Sequence, residues 1–95
     1  MGIGYISARP VMGQGAPVYG PVRASEVVNT TATNAVATIV INGGDFIRVV
    51  ARVNDIHLAI NKTAATEPRD TIPAGTSIDI GPLKQGDVLN LIDVT

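Results

Sequence analysis

A chain of 95 residues with a formal net charge of −1 is one domain in size, and no global field draws it to nucleic acid. It contains no cysteine, which excludes disulfides, thiolate chemistry and cysteine-based metal sites. Apolar residues make up 45% of it but aromatics only 3%, so the core must come from Val, Ile, Leu and Ala, and the β-branched members of that set suit strands.

Residues 1–23 stand apart from the rest. Pro10, Pro17 and Pro21 sit among Gly2, Gly4, Gly13, Gly15 and Gly20, a density that weakens a regular ladder. Yet the segment lacks the charge and serine of a solvated linker. The expectation is an extended arm, reaching roughly 75 Å when fully drawn out, that orders against a neighbour. Its partner contacts are expected at Ile3, Tyr5, Ile6, Val11, Met12, Val18 and Tyr19. Residues 24–95 are then the folded domain, which should survive removal of the arm. The start lacks the basic region and unbroken apolar run of a signal peptide. No stretch approaches the ~20 apolar residues that cross a bilayer, so no membrane partner is expected.

From Ala24 the strands come quickly. Ala24–Thr30 reads as the first, and residues 35–41 (AVATIVI) as a second, dense in β-branched residues. Asn42-Gly43-Gly44-Asp45 is a turn, because Asn and Gly accept positive φ at low cost. Residues 46–53 then alternate: Ile47, Val49, Ala51 and Val53 fall on a core face, Phe46, Arg48, Val50 and Arg52 on the other. After a turn at Asn54-Asp55, Ile56, Leu58 and Ile60 continue inward while His57 and Ala59 point away. Residues 61–71 read as a surface loop and Ile72-Pro73-Ala74-Gly75 as a turn. Residues 76–80 form a short strand with Ile78 and Ile80 inward. Gly81-Pro82 breaks it, Lys84-Gln85-Gly86-Asp87 turns, and 88–94 is the final strand. Short strands at this spacing indicate an all-β fold, a small antiparallel β-sandwich or jelly-roll-like barrel, carrying the N-terminal arm.

Signals for chemistry are sparse. Gly43-Gly44-Asp45-Phe46 resembles a fragment of a cyclase signature but has Phe where that motif needs Glu, and reads as a hairpin turn. His57 is the only histidine, so a multi-histidine metal site is ruled out; Asp55, two residues earlier, is its nearest acidic neighbour in the chain. No nucleophile stands at recognisable spacing from that pair. No catalytic residue, metal or cofactor is therefore expected. Arg48 and Arg52, flanking Val50 on one strand face, are a second expected contact, for an acidic partner surface.

Over its C-terminal half the chain resembles small virion proteins of tailed bacteriophages. The pattern is FIRVVARVNDIHLAI, then TAAT, a loop, IPAGTSIDI and a closing Gly-Asp strand. The resemblance implies a non-enzymatic structural protein of the virion. A capsid decoration (cement) protein that binds the major capsid protein comes first, and a tail, fibre or head–tail connector component second. It also favours a homo-oligomer, with a trimer as the expected number. A carbohydrate-binding β module is a third reading, though few aromatics are available for stacking on sugar.

Overall fold

The computed structural model describes residues 2–12, 18–19 and 21–94, with the side chains of Val11, Met12, Val18 and Tyr19 outside that description. Ten strands and no helix are found among the described residues: β1 (Gly2–Arg9), β2 (Val11–Met12), β3 (Val18–Tyr19), β4 (Ala24–Thr30), β5 (Ala35–Val36), β6 (Phe46–Arg52), β7 (Ile56–Ile60), β8 (Asp70–Ile72), β9 (Ser77–Ile80) and β10 (Leu89–Asp93). They build a β-sandwich. One sheet has the order β4-β1-β6-β9, the other β5-β10-β7-β8, and every pairing is antiparallel. β2 and β3 form a separate two-stranded ribbon, with Val11 opposite Tyr19.

The expected arm is corrected by β1. Gly2–Arg9 is an interior strand, in register with β4 from Gly2↔Thr30 to Ala8↔Ala24 and with β6 from Ile3↔Arg52 to Arg9↔Phe46. Its burial alternates strictly. Ile6 and Ala8 enter the core, so Ile6 is a packing residue rather than a partner contact. The glycines that argued against a strand permit this one. A Cβ on Gly4 would lie 2.8 Å from Leu91 Cδ2, so the absence of a side chain lets the second sheet close on β1. Of the other expected arm contacts, Ile3 and Tyr5 lie on β1, and Val11, Met12, Val18 and Tyr19 lie on the β2–β3 ribbon, these four with their side chains outside the described residues.

The core between the sheets is aliphatic. Ile6, Ile47, Val49 and Ala51 meet Ile56, Leu58, Ile72, Leu89 and Leu91. Each buried Ile or Leu contributes about 1.5–3 kcal/mol. Residues 35–41 keep the alternation expected of a strand, with Ala37 and Ile41 buried and Val36 and Val40 exposed. Only Ala35 and Val36 join a ladder, however. The rest forms a strap across the side of the sandwich. Thr38 N and Ile39 N each donate to the Glu26 carboxylate at 2.8 Å, which replaces the missing ladder bonds. Val53 is a second correction. Expected inward, it is 76% exposed with φ 73°, because the turn from β6 to β7 begins there and rotates it out of the strand's alternation.

The two outer faces of the sandwich differ. On the second sheet, Ala59 and Ile92 point away from the core as alternation requires, yet they are buried with Ala64 in a small satellite cluster. Asn34 pins the cover: its Nδ2 donates to Asn90 Oδ1 at 3.0 Å and its Oδ1 accepts from Ala64 N at 2.8 Å. The loop expected over 61–71 does this covering and ends in β8. No comparable loop is tied across the outer face of the first sheet among the described residues.

Gly81 offers a direct check on the packing. Its φ is +145°, and a Cβ there would meet Asp45 O at 2.9 Å and Phe46 Cα at 3.1 Å, backbone atoms that have little freedom to retreat. Gly81→Ala is expected to cost about 2–3 kcal/mol in thermal unfolding. Gly44→Ala, where nothing lies within 4 Å, should cost about 1 kcal/mol from its positive φ alone.

Candidate functional site: the outer face of the first sheet

Register sorts the outward side chains of the first sheet into rows across the strands. The central row is Val27–Tyr5–Val50, ending at Ser77. On one side of it runs Asn29–Ile3–Arg52, and on the other Ser25–Ser7–Arg48–Asp79, with Arg9 opposite Phe46 beyond that. The face is thus an apolar band with basic residues on both flanks. Tyr5 is 43% and Val27 57% exposed. Beside them lies a depression of about 320 Å³, bounded by Tyr5, Ser7, Ser25, Val27 and Val50 among others.

Four expected contacts meet here. Ile3 and Tyr5, assigned to an arm, and Arg48 and Arg52, assigned to a strand face, are neighbours on one surface because β1 pairs with β6. The two arginines differ in what they can offer. Arg48 is engaged with Asp79 by two hydrogen bonds, Nε to Oδ1 at 2.9 Å and Nη2 to Oδ2 at 3.2 Å. Arg52 is exposed, and no ion-pair partner is found for it among the described residues. Val27 and Val50 complete the band. Val50 was legible as an outward residue of its strand, whereas Val27 gains its place only through the pairing of β4 with β1.

The Arg48 hydrogen bonds hold the Asp79 carboxyl below the usual carboxylate range, helped by the charges of Arg48 and Arg9 and opposed by slight burial. A depressed folded-state pKa means stability present above the unfolded value, ~3.9, and lost as pH falls through the folded one. Since both side chains are more than 40% exposed, the contribution stays below about 1 kcal/mol. Asp79→Asn should therefore leave the melting temperature at pH 7 nearly unchanged and slightly flatten the acid limb of stability below pH ~4, as measured by thermal melts across pH.

A second concavity, about 260 Å³, lies on the other sheet and is lined by Ala32, His57, Ala65, Arg69, Ile92 and Asp93. Most polar groups there are engaged within the fold; Arg69 Nε, buried, makes no hydrogen bond and lies 3.3 Å from Glu67 Oε1. His57 Nδ1 shares a 2.8 Å hydrogen bond with Thr71 Oγ1, and Arg69 Nη1 donates to Ala64 O at 3.1 Å. Asp93 accepts from Gly2 N at 3.2 Å and from Thr30 Oγ1. Asp55, the acidic residue nearest His57 in sequence, instead accepts from Ala74 N at 2.8 Å and closes the β8–β9 turn. Among the described residues no group of three or more His, Asp or Glu side chains is placed to hold a metal ion.

Among the described residues the molecule is therefore an all-β sandwich with one covered and one uncovered outer face. Compared with protein-family models, curated proteins and solved structures, the chain matches none.

Proposed function

We propose that this chain is a non-enzymatic structural protein of a bacteriophage particle, a capsid decoration (cement) protein that docks through the outer face of its first sheet on the major capsid protein. The observation that carries the docking surface is the band Val27–Tyr5–Val50, uncovered among the described residues, with Arg52 on one flank and, beyond the Ser7–Arg48 row, Arg9 on the other. An apolar centre with a charged rim is the anatomy of a protein interface, and the rim's sign calls for an acidic partner. The phage particle as the setting rests on the likeness of the C-terminal half to small virion proteins. A tail, fibre or connector position is the alternative, and labelling intact particles separates the two.

Tyr5→Glu tests the surface. The side chain is exposed, so the variant should fold, as circular dichroism would show. A carboxylate at the centre of the band should weaken binding to undecorated heads at least about tenfold in co-sedimentation. Unchanged saturation of the heads by Tyr5→Glu would remove this face from the proposal. Binding of the folded protein to a glycan array, abolished by the same substitution, would favour a carbohydrate module on the depression beside Tyr5 instead.

A further inference from the structure

The four sheet edges are not alike. β5 has two residues and β8 three, while β9 has four, carries Asp79 and lies between Pro73 and Pro82. Short strands, charge and proline are the usual means of keeping an edge from pairing. β4 is the least guarded of the four, although Pro21 precedes it and it carries one charged residue, Glu26, whose carboxylate is engaged with the strap. It is seven residues long, its outward side chains Ser25, Val27 and Asn29 carry no charge, and no strand pairs with it on the side away from β1 among the described residues. The strap beneath it stays outside the β4 ladder: its ends bond through backbone to Leu89 and Gly86, while Glu26 accepts from Thr38 and Ile39, and Arg23 Nη2 donates to Val40 O at 2.7 Å.

Exposed apolar residues gather on this same side. Of the seven large ones exposed among the described residues, four are Val22, just before β4, Val27 within it, and Val36 and Val40 on the strap. A free backbone edge ringed by valines asks for a strand that also brings apolar side chains.

We propose that β4 pairs antiparallel with β4 of a second copy, about a two-fold axis at Val27. The strand is self-complementary in that register. All seven residues overlap, Val27 meets Val27, Ser25 meets Asn29, and Glu26 meets Val28 rather than another Glu26. The central rows of the two copies then join into one band, Val50–Tyr5–Val27–Val27–Tyr5–Val50, and the two sheets become one of eight strands. The seven residues span roughly 24 Å, and edge plus strap cover about two layers, so on the order of 500 Å² of projected face is available per copy. That lies at the small end of specific interfaces and implies a dimer whose population depends on concentration. The inference goes beyond the capsid role and does not depend on it.

Sedimentation equilibrium on the whole chain, from about 1 μM to about 1 mM, should show the mass rising from 9.8 kDa towards twice that value. Val27→Lys and Val27→Glu should each stay folded and monomeric, because each sets like charges face to face on the axis. Mixing the two should restore a one-to-one dimer. Val53→Lys, at an exposed site away from β4, should dimerise as the parent does. Val27→Cys, in a chain with no other cysteine, should form a disulfide-linked dimer on oxidation. A monomer across the whole range, a trimer at saturation, or a dimer indifferent to both charged variants would each overturn the proposal, since an isologous contact closes at two. A monomeric result would leave binding to phage heads to be judged by its own experiment.

Discussion

A chain lacking residues 2–9 is expected to be unfolded, with a coil-like circular dichroism spectrum and no cooperative transition. β1 stands between β4 and β6 and is in register with seven residues of each. Its removal strands β4 and opens the inner face of β6. It also takes Ile6 and Ala8, 2% and 0% exposed, out of the core. Ladder and burial losses of this size exceed the ~5–15 kcal/mol by which a domain is stable. Two point variants give the graded version. Ile6→Ala should cost about 2–5 kcal/mol, the range for truncating a buried aliphatic side chain. Ile3→Ala, on the outer face, should cost under about 1 kcal/mol. A truncated chain that still melted cooperatively would restore the arm and remove β1 from the sheet.

The Arg23–Asp45 pair should show the next largest effect. Asp45 is 2% exposed and accepts from Arg23 Nη2 and, at 2.9 Å, from Asn42 N. Arg23 also reaches Val40 O, so one guanidinium ties the run into β4 to the strap and to the turn before β6. Arg23→Ala leaves a buried carboxylate without its cation. Such a loss costs ~3–5 kcal/mol when both partners are buried, and about 2–3 kcal/mol here, where the Arg23 side chain keeps 30% of its exposure. For a domain of this size that is a fall of roughly 10–20 °C in melting temperature. Arg48→Ala is the matched control. It removes an ion pair whose side chains are 47% and 41% exposed, and should shift the melt by only a few degrees. Equal shifts for the two variants would mean that burial of Asp45 is not what gives the pair its value.

These two predictions mark where sequence and structure part. Strands β6, β7 and β9 were legible because their core residues recur at every second position, and β10 because an apolar run follows the Gly86 turn and is buried throughout. That pattern is local, and packing against the opposite sheet reinforced it. Val53 broke the pattern because a turn's backbone conformation overrides the period of the strand it follows. β1 was missed for a related reason. Gly2 and Gly4 lower local strand propensity, and their value shows only when Leu91 of the other sheet approaches.

The candidate surface was half legible. Tyr5, Ile3, Arg48 and Arg52 were each identifiable as exposed side chains of a type that binds, but in two separate places. Bringing them together required knowing that β1 pairs with β6, a long-range register with no local signal. Covering of the second sheet was likewise hidden, because Asn34 and Ala64 meet across 30 residues.

By itself, then, the order of residues determined an aliphatic, all-β domain and the inward and outward faces of most of its strands, since alternation and turn chemistry act over a few residues. Strand neighbours, the covered sheet and the long bare edge at β4 were decided only in the tertiary structure. Each depends on contacts between segments far apart in the chain, where backbone hydrogen bonds and side-chain volume must be satisfied together.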